Sequence, residues 1–467
     1  MVFASVPFLF YFLPVLLGFY YAVPARFRGT RNALLLIASL LFYAWGEGPL
    51  VALLVLSALA NHVLARMIAS RRAQARAVLC LGVAINLGGL AWFKYSGFAA
   101  QTLGIEGFNG PHLPLGISFF TFQAISYLAD VARGEAEPPA SPLDSVLYIA
   151  SFPQLIAGPI VRFATVAGEL RGRQETLGLF ADGVRLFVLG LAQKVLVANL
   201  AAGPAEAVFA LPAEQLSASL AWAGAGAYSL QIFFDFAGYS NMAIGLGLMV
   251  GFRFPRNFDY PYASRSVTEF WRRWHVTLSR WFRDYLYIPL GGNRAGAART
   301  YLNLWIVFLL CGLWHGAALT FVAWGAWQGA FLSLERAGIG RWLAQTPRPV
   351  QHGYLVVVVT LGWVLFRAES LGHAFAFYRA MAGLGDATLA PVMTYAFPGL
   401  VGAWLLLGAL FATPLPERLV RRLGEAAPRP ARATLRHASV PAFALLLVAS
   451  LAFVAGGAYN PFIYFRF

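Results

Sequence analysis

Two histidines have neighbours that could give them chemistry. His315 sits in Cys311-Gly-Leu-Trp-His-Gly316, between two apolar runs. Histidine is the side chain best suited to moving a proton near neutral pH, and an ionisable residue at membrane depth marks a candidate site. A packed, hydrogen-bonded histidine is the competing reading of the same residues. His275 stands 40 residues earlier, in Phe270-Trp-Arg-Arg-Trp-His275. From Val267 the apolar positions run 267, 270, 271, 274, 278, 281, 282 and 285, which is helical spacing. The opposite face carries Glu269, Arg272, Arg273, Ser279, Arg280 and Arg283. This pattern predicts an amphipathic helix on the cytoplasmic membrane interface. It is either a plain anchor or a cationic wall for a phosphate-bearing ligand, because arginine grips phosphate bidentately. His275 falls on or near its polar face, where a solvated interface histidine is the plain alternative.

Other polar residues have weaker claims. Asp235 ends an apolar run in Phe233-Phe-Asp-Phe-Ala-Gly-Tyr-Ser240 and needs a partner there, an arginine or a helix N-terminus. A structural ion pair or cap is the better reading, and the same holds for Gln154, Asn257 and Arg367. Cys80 and Cys311 lie in apolar runs with no CxxC pattern. No HExxH or acidic ligand cluster accompanies the histidines, so no metal centre is expected. No nucleophile elbow, Walker loop or dinucleotide fingerprint is present.

The elements that must position these residues are apolar. Of 467 residues, 59% are hydrophobic and 12% charged. A soluble domain carries roughly 45–50% apolar and about 25% charged residues. These values exclude an ordinary soluble globular protein and a disordered one. They indicate a polytopic membrane protein with room for about ten spans. The net charge of +15 comes almost wholly from arginine, Lys94 and Lys194 being the two lysines. Basic loops held inside by the positive-inside rule and by anionic lipid account for it better than nucleic acid does.

Residues 1–25 contain no Lys or Arg, and an apolar run over 6–23 is followed by Arg26, Arg28 and Arg31. We read a retained first span with its N-terminus outside rather than a cleaved signal peptide. Further apolar segments cover 32–45, 49–67, 77–93, 179–200, 220–236, 301–313, 317–334, 353–366, 400–411 and 440–455. Residues 242–252 form a short one. The stretch 111–131 is polar-studded and suits a re-entrant segment. The stretch 143–160 carries Pro153, Gly158 and Pro159 and reads as a broken helix. Residues 251–300 hold nine Arg against three carboxylates, a surplus of six. A single membrane domain over 1–467 is expected, with N-terminal spans in 1–110, a core in 111–370 containing the amphipathic segment 253–298, and C-terminal spans in 371–467.

Taken together, several blocks resemble one family. They are Phe119-Phe-Thr-Phe-Gln123, Phe152-Pro-Gln-Leu-Ile-Ala-Gly-Pro159, Phe234-Asp-Phe-Ala-Gly-Tyr-Ser240, Phe270-Trp-Arg-Arg-Trp-His275, Trp281-Phe-Arg-Asp-Tyr-Leu-Tyr-Ile-Pro-Leu-Gly-Gly292, Cys311-Gly-Leu-Trp-His-Gly316 and Phe462-Ile-Tyr-Phe-Arg-Phe467. In order and spacing the chain resembles the membrane-bound O-acyltransferase (MBOAT) family, in particular its bacterial branch of alginate O-acetyltransferases and relatives that act on cellulose or peptidoglycan.

The resemblance implies an all-α polytopic fold of about 11 transmembrane helices, with re-entrant and interfacial helices around a central tunnel. It implies that His315 is the essential active-site residue and that His275 belongs to the same site. Trp274, Trp314, Asp235, Gln154 and Asn257 are further candidates for the substrate site, and Arg272, Arg273, Arg280 and Arg283 for the phosphates of coenzyme A. The implied reaction moves acetyl from cytoplasmic acetyl-CoA, a substrate and not a bound cofactor, across the bacterial inner membrane for O-acetylation of a polysaccharide. A periplasmic SGNH-type acetyltransferase is the implied partner, alongside membrane lipid and without nucleic acid. In that chemistry His315 serves as general base on the accepting hydroxyl or orients it, and His275 or an indole N–H donates to the oxyanion. D-alanyl transfer from a carrier protein is the runner-up, and a non-enzymatic transporter the alternative outside enzymes.

Overall fold

The computed structural model describes residues 1–385, 397, 399–426, 429–457 and 460–461, and among them all regular structure is helical. The terminal block 462–467 lies outside the described residues. Close contacts gather the chain into two compact units. One is Met1–Phe187 with Tyr239–Arg256, the other Val188–Gly238 with Asn257–Phe467.

The first unit opens on a π-turn, Pro7–Phe12, that runs into α1, Leu13–Ala22. Helices α2, Arg28–Glu47, and α3, Val51–Ser70, follow. Gly48 at φ +55° turns the chain between them. Each has 20 residues, about 30 Å of helix and enough to cross a bilayer. Ile37, Leu41 and Leu56 point outward, as a lipid-facing surface requires. Next come α4, Ala75–Thr102, α5, Ile117–Arg133, α6, Pro142–Ala150, α7, Phe152–Leu155, and α8, Phe163–Gly172.

Two sequence expectations meet their structure here. The polar-studded stretch is α5, buried from Phe119 to Val131. It starts at Gly116, where φ is +78° and a Cβ would stand 2.6 Å from the Leu155 carbonyl oxygen. The expected broken helix is α6 and α7, parted at Ser151, where the Ser39 hydroxyl accepts the freed Phe152 N–H at 3.1 Å.

Helix α9, Leu177–Ala192, passes into the second unit and continues through a π-turn, Gln193–Ala198, into α10, Asn199–Phe209. Helix α11 is Ala218–Met249. The sequence suggests two segments here, 220–236 and 242–252, but the structure holds one helix of 32 residues. The intervening Ala237-Gly-Tyr-Ser-Asn241 lowers hydropathy without breaking a helix. Gly238 lets α11 lie against α9, because a Cβ there would come within 2.6 Å of the Gly190 carbonyl oxygen.

The amphipathic segment also differs from expectation. It is not one helix but two, α12, Val267–Arg273, and α13, Val276–Phe282, followed by a π-turn, Arg283–Tyr287. Trp274 is extended and His275 is left-handed at φ +41°. The remaining helices are α14, Ala297–His315, α15, Leu319–Leu334, α16, Gly340–Gln345, α17, Arg348–Arg367, α18, Leu371–Met381, α19, Gly399–Phe411, α20, Leu415–Ala426, and α21, Arg429–Ala455.

Six helical stretches among the described residues are long and apolar enough to span, or seven if the bent pair of α19 and α20 counts as one. The first of the six, Arg28–Ser70, is the α2–α3 pair. The count of about eleven exceeds this because hydropathy also registers shorter helices, such as Pro7–Ala22, Ser439–Ala455 and the 16-residue α15.

Candidate active site

The site is built in the second unit at two chain breaks. Helix α12 begins where Ser266 caps it, its hydroxyl accepting the Glu269 N–H at 3.0 Å. The buried Glu335 carboxylate accepts the next orphan donors, Val267 N–H at 2.6 Å and Thr268 N–H at 2.9 Å. At the other end, the loop 257–259 docks on the Trp274–His275 break. Asp259 N–H donates to the Arg273 carbonyl at 3.0 Å, and Val276 N–H donates to the Asn257 carbonyl at 2.9 Å. Backbone groups orphaned by the break are thus satisfied, which offsets the roughly 1–3 kcal/mol that a left-handed non-glycine residue costs.

The break drives the His275 side chain inward, and it is 0% exposed. The reading of His275 as a solvated interface residue is therefore corrected. The sequence periodicity places it on a polar face only if the helix is continuous, and it is not. Its Nδ1 lies 3.0 Å from Asn257 Oδ1, and its Nε2 is buried without a hydrogen-bond partner. Burial, with His315 acting on it second, holds its pKa well below the ordinary histidine value.

His315 is the last residue of α14 and is 6% exposed. Aromatic rings pack around it. Trp314 has its centroid at 4.9 Å, while Trp324 and Phe366 each stand edge-to-face at 5.1 Å. Trp314 also reaches His275, at 6.1 Å, so one indole touches both imidazoles. Phe236 closes the other side of His275 at 4.6 Å and 90°. Helices α14 and α15 approach closely enough for this because Gly312 and Gly325 leave no room for a Cβ against the Phe321 and Phe308 carbonyls. The Trp324 indole N–H is buried and has no partner. The result is an aromatic chamber that gathers two imidazoles and one undonated N–H.

The other candidates fall variously around this chamber. Trp274 packs on Phe270, Phe258 and Trp363 and supports the His275 loop from behind. Asp235 pairs with Lys194 at 2.7 Å, a structural ion pair in which a lysine is one partner. Gln154 belongs to the first unit, where it donates to the Tyr148 carbonyl. Arg272, Arg280 and Arg283 are exposed, and Arg273 is half-buried in an ion pair with Glu269 at 2.7 Å. Arg283 pairs with Asp284 at 2.6 Å. The apolar side of the segment faces inward, so the amphipathic character survives the break. Sequence reasoning missed Trp324 and Phe366, which sit in runs that read as plain spans. The small residues Gly312 and Gly325 are the one signal of close helix approach there.

An all-helical polytopic membrane protein with two buried histidines in an aromatic chamber is the class that fold and site define. The sequence model of MBOAT, the membrane-bound O-acyltransferase family, matches residues 120–371. The chain is 42% identical over 504 residues to the probable alginate O-acetylase AlgI of Azotobacter vinelandii, covering 100% of both chains. It is 36% identical to the peptidoglycan O-acetyltransferase of Helicobacter pylori, over 82% of this chain and 80% of that one. It is 29% identical to the teichoic acid D-alanyltransferase of Bacillus subtilis, over 48% of this chain and 60% of that one. The chain belongs to the membrane-bound O-acyltransferase family and is a multi-pass membrane O-acyltransferase.

Proposed function

We propose that this protein moves an acetyl group from cytoplasmic acetyl-CoA across the bacterial inner membrane for O-acetylation of an extracytoplasmic polysaccharide. The polymer is alginate-like, cellulose or peptidoglycan, and the partner is a periplasmic SGNH-type acetyltransferase or another polysaccharide-modification protein. The N-terminus lies on the periplasmic side. The observation that carries the reading is the pair of buried histidines, His315 and His275, joined by Trp314 and packed against Trp324, Phe236 and Phe366. The likeness to an alginate O-acetylase and a peptidoglycan O-acetyltransferase supports acetyl as the group and a polysaccharide as its destination.

In this reaction the acceptor hydroxyl oxygen attacks the thioester carbonyl carbon, and its proton passes to His315. The Trp324 indole N–H, buried and without a hydrogen-bond partner, donates to the developing oxyanion. The carbon–sulfur bond then breaks, and coenzyme A leaves as the thiol after taking the proton back. Arg272 and Arg280 receive the phosphates of the donor, Arg273 and Arg283 add positive charge beside them, and membrane lipid meets the same cationic surface.

The test is transfer of labelled acetyl from acetyl-CoA by purified protein in nanodiscs. His315→Ala should abolish transfer while the protein keeps its thermal stability. Full activity in a folded His315→Ala protein would sink the assignment. Transfer only from a thioester-loaded carrier protein would favour D-alanyl chemistry, the reading supported by the teichoic acid relative.

A further inference from the structure

We propose that Asn257 is a positioning residue that holds His275 as the Nδ1–H tautomer, so that its bare Nε2 offers a hydrogen-bond acceptor to a substrate N–H or O–H other than the hydroxyl that His315 deprotonates. The inference rests on the acyl-transfer reading and assigns His275 a side of the reaction.

The argument is one of donors and acceptors. Thr277 N–H lies 3.3 Å from Asn257 Oδ1, and a backbone N–H can only donate. The Thr277 hydroxyl lies 2.9 Å from the same atom. The atom at Oδ1 is therefore the amide oxygen and not the amide nitrogen, a choice that such contacts must settle. An amide oxygen cannot donate to an imidazole, so the proton of the 3.0 Å contact belongs to His275 Nδ1. A neutral imidazole carries one N–H, which leaves Nε2 with a lone pair. That atom is buried and unpartnered.

The surroundings keep the ring neutral. Phe236 from α11, Phe258 from the docking loop and Trp314 from α14 present aromatic rings. His315, also from α14, is the titratable group that acts on His275, and it adds to burial in the same direction. With its one N–H spent on Asn257, the neutral ring can only accept at Nε2. It therefore cannot supply the oxyanion N–H that the sequence assigned to His275 or an indole. That task falls to the Trp324 indole, and His275 is left to accept from a second substrate donor.

The Asn257 side chain also caps α13, since Thr277 is the second residue of that helix. One amide oxygen thus fixes both the helix start and the tautomer. Asn257 touches neither substrate nor reacting atoms in this scheme, and it acts through His275.

The test uses the full chain in nanodiscs with 15N-labelled histidine, the His275 signals being identified by their loss in His275→Gln. In the wild type we expect a protonated Nδ1 and a bare Nε2, retained below the ordinary histidine pKa of about 6.5. Asn257→Asp keeps the shape and the acceptor but adds a negative charge. It should raise the His275 protonation midpoint by about one unit or more and move the acid limb of the acyl-transfer pH profile upward. Asn257→Leu should lower kcat at least about tenfold with the KM for acetyl-CoA little changed, as loss of an orienting partner does elsewhere. A wild-type Nε2–H tautomer would overturn the inference, and so would an unmoved midpoint and pH profile in Asn257→Asp. Absence of acetyl transfer in a wild type with the stated tautomer would sink the functional reading and leave the tautomer assignment standing.

Discussion

Lys194 Nζ stands 2.7 Å from Asp235 Oδ1, with the two side chains only 4% and 2% exposed. The lysine comes from the π-turn that joins α9 to α10, the aspartate from the middle of α11. Lys194 also donates to Asn199 Oδ1 at 2.9 Å and to the Pro461 carbonyl. Two charges in an apolar interior are tolerable only when paired and hydrogen-bonded in this way.

Breaking this pair should cost more than removing it. Asp235→Asn leaves an ammonium without its counter-charge and should lose about 3–5 kcal/mol, whereas replacing both partners by apolar residues is often near neutral. Thermal unfolding of Asp235→Asn, Lys194→Met and the Lys194→Met/Asp235→Leu double variant measures the cycle. The expected order places the double variant above either single one. Additive losses would show that the two charges do not depend on each other.

Much of the fold was legible because it rests on hydropathy and helix breakers. The apolar runs, the broken helix near Pro153 and the inward apolar side of the segment from Val267 all follow from residue type. What was not legible depends on contacts distant in sequence. The break at Trp274–His275 is held by backbone hydrogen bonds from Asn257 and Asp259, and no local pattern announces a docking loop. The Lys194 partner of Asp235 lies 41 residues away in the chain. Trp324 enters the chamber only because α15 folds back on α14.

That return rests on two glycines. A Cβ at Gly325 would strike the Phe308 backbone carbonyl, and one at Gly312 the Phe321 carbonyl, neither of which can swing aside. Gly325→Ala should force α14 from α15, costing about 1–3 kcal/mol as overpacking does. It should also reduce acyl transfer at least about tenfold, because a displacement of about 1 Å at a reacting centre is enough. Gly89 in α4 is the contrast, since a Cβ there meets nothing within 4 Å. Gly89→Ala should leave activity unchanged and raise stability by about 0.5–1 kcal/mol. Equal behaviour of the two variants in a melting and activity assay would count against close glycine packing as the cause.

Acid should loosen the first unit through Glu175. Burial alone would raise this carboxyl, but the Arg28 guanidinium and the Tyr20 hydroxyl outweigh burial and hold it at about 2, below its ordinary 4.5. Arg31 stands 3.1 Å away and Arg173 3.7 Å away. A depressed folded pKa means the stabilisation is present above the unfolded value and fades as pH falls from about 4.5 toward 2. Glu175→Gln should lower the melting temperature at neutral pH and flatten its decline in that acid window. A wild-type acid decline that persists unchanged in the variant would assign it to other carboxylates.

The cationic segment should act on donor binding rather than on chemistry. Arg273 and Arg283 are already engaged by Glu269 and Asp284. Arg272 and Arg280 are exposed and have no ion-pair partner among the described residues, so their five-donor forks are open to phosphate. Charge reversal there should weaken binding of a multiply charged donor in the ground state and the transition state alike. Such uniform loss raises KM and leaves kcat almost unchanged. Arg272→Glu and Arg280→Glu should therefore raise the KM for acetyl-CoA severalfold, with a smaller effect at high ionic strength because exposed charges are screened. Arg273→Gln and Arg283→Gln should do less, since each gives up a neighbour's ion pair rather than an open fork. A fall in kcat with KM unchanged would place these arginines with the reacting atoms, and a salt-independent effect would exclude a phosphate contact at the surface.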